Sequence, residues 1–427
     1  MTPPSTPNSA HPLAHLGSLR AILLLGSMGM LATLWSDMLF PAMVSIQQDL
    51  HTSATAVQQT VSLFFIANAF MCLWHGVISD AWGRRKPLLI GLVVLVLTSL
   101  LSLLATRIEH LWILRTVQGL VVGLGHVLCR AVIRDLYSSE GAQKMIAHTS
   151  LLQTIAPIIL PMLGGWLTWM WGWRAVFAFL SAVGVVMLLV YARKLPESLP
   201  PARRQAIRLG SLWGNYRLVL GSPWFMRLSV AHACNWAAMY LYVAAGPQLV
   251  THLLGRPPTD VYLVFTPMMV GLIFGFLCLP RVLQRWGTRR TMYLAYSGFV
   301  LVNVLNTTLA ASLPPSLVHL LPIAAYAFAI ALSMPLLVGH ALHPFPHNAG
   351  LAASCQLFLQ YGLMAVVAGA LAPVLWDSLW HLALGCAVLT GIGMTLMLWQ
   401  RYATYKTQEA AIAEGDRTAV RSSEGGQ

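Results

Sequence analysis

The sequence predicts an all-α membrane protein of twelve transmembrane helices arranged as two sets of six. Three observations carry that expectation. Only 9% of the 427 residues are charged while 57% are hydrophobic, whereas soluble domains run near about a quarter charged. The apolar residues lie in continuous runs, each long enough to cross a hydrocarbon core of about 30 Å as a helix, and they do not alternate as barrel strands would. A non-apolar stretch at 193–224 divides the runs evenly, and a glycine–arginine loop recurs on either side of it. The same composition excludes a soluble enzyme and a disordered chain, which could not keep so much apolar surface solvated.

In order along the chain, residues 1–18 are polar, hold four prolines and have no lysine or arginine. They lack the basic start of a signal peptide and read as a disordered cytoplasmic tail. Spans are expected at 19–44, 56–79, 87–105, 110–131, 143–168 and 174–192, forming an N-terminal half over 19–192. A basic cytoplasmic linker occupies 193–224. Spans at 225–251, 261–281, 291–311, 317–340, 350–374 and 380–400 form the C-terminal half over 225–400, and 401–427 is a cytoplasmic tail. The net charge of +13 and pI near 9.8 do not indicate nucleic acid, because the basic residues are scattered among short loops and never build one broad surface. With the first residue inside, cytoplasmic pieces carry 21 Lys/Arg against three on the other side (Arg107, Arg174, Arg256). That bias places both termini in the cytoplasm. Tryptophans 166, 169, 171 and 173 cluster where interfacial anchors are expected. The six cysteines all lie in apolar runs without a CxxC pair, as small apolar residues do.

Chemistry concentrates in a few places. The segment Gly76-Val77-Ile78-Ser79-Asp80-Ala81-Trp82-Gly83-Arg84-Arg85-Lys86-Pro87 joins spans two and three. Gly76 would let helices approach, Gly83 would permit a tight turn, and Asp80 with Arg84 and Arg85 would latch helix ends through charged hydrogen bonds. A merely positive-inside loop would need neither the acid nor the glycines. The second copy, Gly287-Thr288-Arg289-Arg290, lies 204 residues on and carries Gln284 in place of the acid, so its latch should be weaker. In span four, Arg115, Gly119, Val122, His126 and Arg130 fall on one face at helical spacing. A guanidinium within a span is costly and normally faces a cavity or a partner. His126 serves equally as a simple hydrogen-bonding group between helices, and Arg130 can snorkel to the interface. Asp37 is the one acid of thirteen well inside an expected span.

The segment at 76–87 resembles the loop signature of the major facilitator superfamily, G-x-x-x-D-x-x-G-R-R-x, and Arg115-Thr116-Val117-Gln118-Gly119 resembles its R-x-x-x-G element. Ser36-Asp37-Met38-Leu39-Phe40-Pro41-Ala42 is similar to the T-D-M-Y-L-P-A-L stretch of the Bcr/CflA branch of drug:proton antiporters. Arg130–Tyr137 and the span-five stretch Pro157-Ile158-Ile159-Leu160-Pro161-Met162-Leu163-Gly164-Gly165 agree with that branch. Pro157, Pro161, Gly164 and Gly165 would suit a helix that bends as the halves rock. Ser36, Leu39, Phe40 and Cys72 depart from the branch pattern near the expected cavity and leave the substrate open.

The resemblance implies a major facilitator fold and a secondary exporter that exchanges protons for a small organic compound such as a drug. Asp37, Arg115 and His126 would carry the proton coupling. Met30, Thr33, Gln118, Trp236 and Tyr240 would line the substrate cavity, although the aromatic residues Trp236, Tyr240 and Tyr242 suit helix packing or lipid contact as well. His340, His343 and His347 have no accompanying acid or cysteine and read as a turn rather than a metal site. No Walker A sequence occurs, so no cofactor is expected and the proton gradient supplies the energy. An importer could use the same fold and the same aspartate. An intramembrane enzyme would need a nucleophile–base or metal constellation, and no HExxH, GxSxG or paired intramembrane acids are found; a non-transporting sensor is the remaining reading. The expected setting is a bacterial inner membrane, with a monomer contacting lipid, protons and its substrate but no nucleic acid.

Overall fold

The computed structural model describes residues 18–204, 209–345 and 348–400. The tail at 1–17, linker residues 205–208, His347 and the tail at 401–427 lie outside the described residues. Among the described residues every long element is helical, because backbone groups in lipid must be satisfied within their own segment. Eight of these helices are long and apolar enough to cross a membrane, or nine if the bent pair at its start is one span. Large apolar side chains such as Leu97, Leu101, Phe274 and Leu301 are exposed on the periphery, while Asn68, His75, Arg115 and Gln118 are fully buried. This inversion of the soluble pattern fits a molecule whose solvent is lipid.

The first span is broken. Helix α1 (Ser18–Gly29) meets α2 (Leu31–Asp37) at Met30, where the axis bends by 54°. A 3-10 turn at Phe40–Ala42 follows, with Pro41 at a position where its missing N–H costs nothing. The chain continues through α3 (Met43–Asp49) into α4 (Ala54–Trp82), whose first turn is capped by the Ser53 hydroxyl. Gly83 ends α4 with φ +89° and ψ 170°, a conformation open essentially to glycine. Then come α5 (Arg85–Ser102), α6 (Ile108–Val122) and α7 (Leu124–Leu136). Ile108–Leu136 forms one span, as expected of span four, with only a local turn at Gly123, whose backbone stays helical at φ −67° and ψ −17°.

Helix α8 (Ser139–Trp171) runs unbroken for 33 residues through Pro157 and Pro161, and α9 (Arg174–Lys194) follows. The linker is not wholly irregular, because α10 (Leu209–Leu220) lies in it. Helix α11 (Pro223–Gln248) ends in a π-helical turn at Leu249–Leu253. Helix α12 (Tyr262–Ser312) is two helices run together across Gly287, whose φ 67° and ψ 171° closely match the backbone at Gly83. The two copies of the repeated loop therefore share a backbone conformation as well as a sequence. Helices α13 (Leu321–Leu342) and α14 (Ala349–Val366) lead through a π-helical turn at Val367–Leu371 to α15 (Ala372–Leu375) and α16 (Leu379–Gln400).

Most helix ends extend beyond the apolar runs by a few residues. Span two was expected at 56–79 and occupies Ala54–Trp82, since a helix keeps its hydrogen bonds into the headgroup zone after its side chains turn polar. One expected anchor fails. Trp166, Trp169 and Trp171 are exposed, but Trp173 is only 2% exposed and donates its Nε1–H to Asp49 at 3.0 Å.

Candidate functional site

The break at Met30 leaves Met30, Thr33 and Asp37 as partly exposed residues of one span. Asp37 Oδ1 accepts a 2.5 Å hydrogen bond from the Ser36 hydroxyl. No cation is paired with it among the described residues.

Arg115 is fully buried. Its Nη1 donates to the Trp35 carbonyl at 2.8 Å and to Gln118 Oε1 at 2.9 Å. The guanidinium lies 4.0 Å from the centre of the Phe64 ring. Its Nε and Nη2 have no partner among the described residues. Gln118 and Trp35 both donate to the Ser99 hydroxyl, at 3.4 and 3.0 Å, so α2, α5 and α6 converge on one polar knot. The sequence grouped Arg115 with Asp37 for proton coupling. No ion pair joins them: Arg115 Nη1 donates to a carbonyl two residues before Asp37 and to a side chain of its own helix.

An aromatic cluster closes around this pair. Tyr240 of α11 meets Phe65 edge-on at 5.5 Å and Phe40 at 6.3 Å, and its buried hydroxyl has no partner among the described residues. Trp236, one turn earlier, is half-buried against the core. Tyr242 and Met239 belong elsewhere: they line a separate small cavity with Asn303 and Tyr326, and Tyr242 accepts a 2.6 Å hydrogen bond from Asn306. The expected aromatic wall of α11 is therefore split between two faces.

A cavity of about 550 Å³ opens among the basic loop ends, lined by Gly76, Asp80, His126 and Arg130 and, from the later helices, by Tyr216 and Leu357. Gly76 contradicts its expected role, because a Cβ there would meet nothing within 4 Å; its face looks into open cavity rather than onto another helix. Close approach is found at Gly119, where a Cβ would strike the Phe64 carbonyl, and at Gly164, where it would strike that of Met38. Gly165 faces Pro41 and the Thr259 carbonyl. The span-five glycines thus pack on the segment that carries Asp37.

The loop residues form a charged knot. Arg84 holds Asp80 at 2.5 Å, Asp135 at 3.1 Å and the Ser79 hydroxyl at 2.7 Å. Ser198 donates to Asp135 at 3.0 Å. Glu197 accepts from the backbone N–H groups of Arg84 and Arg85 at 2.7 and 3.2 Å, capping α5. Arg85 donates to the Ala192 carbonyl at 2.5 Å. Neither Glu197 nor the pairing of Asp135 was foreseen, although Glu197 is the lone acid between residues 141 and 259. The Gly287 copy has no ion pair among the described residues.

The opposite end is sealed. Gln59 and Ser62 of α4 donate to the carbonyls of Gly369 and Ala365, at 2.8 and 2.9 Å. Phe40 and Phe265 meet at 5.8 Å. The π-helical turn at Val367–Leu371 contributes one of these acceptors, and no sequence signal marked it.

Membrane-crossing helices around an interior cavity that is open at one end, with buried charge beyond it, define a multi-pass secondary transporter of a small solute rather than an enzyme. The model of the Major Facilitator Superfamily matches residues 25–361, and the chain belongs to that family. It is 27% identical over 274 residues to a bicyclomycin resistance protein homolog of Haemophilus influenzae, covering 64% of this chain and 69% of that protein. It is 25% identical over 361 residues to multidrug resistance protein D of Escherichia coli, covering 83% and 86%. A crystal structure of a variant of the nucleoside transporter NupG shares the fold with a TM-score of 0.66, 15% identity, and coverage of 89% of this chain and 99% of that one.

Proposed function

We propose that the chain is a proton-coupled exporter of a small organic compound, of the Bcr/CflA type, working as a monomer in a bacterial inner membrane. Twelve spans follow when α12 is counted as two at Gly287 and α8 and α11 join the nine apolar helices. They divide into six-helix halves at 19–192 and 225–400, with the linker 193–224 and both termini in the cytoplasm. Two related halves around a central site suit alternating access.

The observation that carries this reading is Asp37, a half-buried carboxyl inside the first span that the described residues leave without a cation. Such a group can hold a proton or engage a substrate, and a proton and a substrate that favour opposite states of one carboxyl are thereby exchanged. The cavity opens at the basic, hence cytoplasmic, end. A compound entering there displaces the proton, the halves rock, and the acidic exterior returns a proton in its place. Arg115 and Gln118 fix the backbone just before Asp37, and Tyr240 brings the second half to the same point. Met30, Thr33 and Trp236 supply apolar and hydroxyl lining, His126 lies on the proton route, and the knot of Asp80, Arg84 and Arg85 on Gly83 holds helix ends as one unit. The names of the two relatives, bicyclomycin resistance and multidrug resistance, support a drug-like organic substrate and outward movement.

Everted vesicles acidified inside decide direction. A panel of lipophilic antibiotics is added outside while lumenal pH is followed by dye quenching. An exporter takes up at least one compound and lets protons out, raising lumenal pH only when this chain is present. A compound that instead leaves the lumen together with protons would identify an importer.

A further inference from the structure

The proposed exchange at Asp37 leaves the chemical class of the substrate unassigned, and the charges along the path to it narrow that class. The cavity is lined by two acids, Asp80 and Asp135, and Arg84 already holds both. Arg130 and Arg134 line the same cavity and neither has an ion pair among the described residues, Arg130 standing one helical turn further from the loop end of α7. One turn beyond the cavity-lining Leu357 stands Tyr361, stacked on Phe65 at 5.7 Å and 10°. Phe65 in turn meets Tyr240 at 5.5 Å, and Tyr240 meets Phe40, three residues after Asp37, at 6.3 Å. An unpaired cation, a flat aromatic pair and an unpaired carboxyl therefore succeed one another between the cavity and the centre.

We propose that the transported compound is a zwitterion with a flat apolar body: its basic group pairs with Asp37, its acidic group with Arg130, and its body lies against Phe65 and Tyr361. This rests on the reading that substrate and proton alternate at Asp37. A simple cation would meet Arg130 on the way in, and a simple anion would meet the Asp37 carboxylate at the end. Each mismatch disfavours the singly charged compound relative to one that matches both groups. A zwitterion satisfies both groups, and each charge-assisted pair contributes about tenfold in affinity.

Three probes differing only in charge test this: a biphenyl with an aminomethyl group at one end and a carboxymethyl group at the other, its methyl ester, and its N-acetyl derivative. Binding to the purified full chain is read by calorimetry, and proton release by pH in weak buffer. The wild type should bind the zwitterion about tenfold more tightly than either derivative. Arg130→Gln should erase the preference over the ester without weakening the ester itself, and Arg130→Lys should retain it, which separates lost charge from lost fold. Equal response to zwitterion and ester in the wild type, no response to either, or an undiminished preference in Arg130→Gln overturns the proposal. Full proton release by the N-acetyl derivative, which has no basic group to pair with Asp37, would leave exchange at Asp37 standing while removing the zwitterion. Proton release persisting in Asp37→Asn would remove the exchange reading, with the calorimetric comparison at Arg130 still decided.

Discussion

Asp37 and Arg115 share one interior without pairing, and that separation gives each a different task. A carboxylate bound to a guanidinium would be held charged and would exchange nothing. Here Arg115 spends its Nη1 donors on the Trp35 carbonyl and Gln118, so it positions the α2 backbone and leaves the Asp37 carboxyl with a hydroxyl partner alone. Removing an uncompensated buried charge relieves its desolvation cost, which offsets the roughly 1 kcal/mol lost with each hydrogen bond. Arg115→Met should accordingly fold and melt within about 2 kcal/mol of wild type yet lose pH-driven transport, as read by thermal melting beside vesicle uptake. A strongly unstable but normally coupled variant would make Arg115 a packing residue only. Asp37 was legible in the sequence because an acid inside an apolar run has no bland explanation. Phe65 and Tyr361 were not, since aromatic residues are common in spans and only tertiary packing stacks these two.

At the scale of elements, two sets of contacts bracket the cavity. The knot at Arg84 ties the ends of α4, α5 and α7, and Asp80 within it is 44% exposed. A pair so accessible to water is worth at most about 1 kcal/mol. Asp80→Asn should slow transport by no more than about fivefold with KM unchanged, and a large rise in KM with an unaltered maximal rate would place Asp80 in the substrate site instead. The seal at the other end rests on Gln59 and Ser62 against carbonyls of Gly369 and Ala365. Removing both donors in Gln59→Leu with Ser62→Ala should shift the balance toward opening at that end by roughly tenfold or more. Labelling of Ser354→Cys, which lines the cavity, should slow correspondingly; an unchanged rate would mean that these bonds do not hold the seal. Gly83 was readable from sequence because a required positive φ belongs to one residue. Gly76 was misread because packing at a helix end depends on which end of the molecule is open. The π-helical turn at Val367–Leu371 left no mark, since its residues are ordinary helix formers and only their hydrogen bonding is unusual.

For the whole molecule, the proposed orientation rests on the contrast of 21 basic residues with three. Arg204→Cys, in an exposed part of the linker, should react with impermeant maleimide in everted vesicles and not in intact cells; the reverse would invert the topology. Fold class and repeat were visible because lipid imposes long apolar helices and duplication preserves loop glycines. The bend at Met30 and helix α10 were not, because hydropathy reports how much of a segment is apolar and not whether its axis is straight or whether a polar linker is helical. The central claim, that substrate and proton alternate at Asp37, is tested most directly by proton release. Substrate favours the deprotonated carboxyl, so a saturating transported compound added to detergent-solubilised protein should release up to about one proton per chain, and less as pH rises and the site is already empty. Asp37→Asn should bind the compound and release none. Release from that variant equal to wild type would contradict the account and move the coupling site to His126.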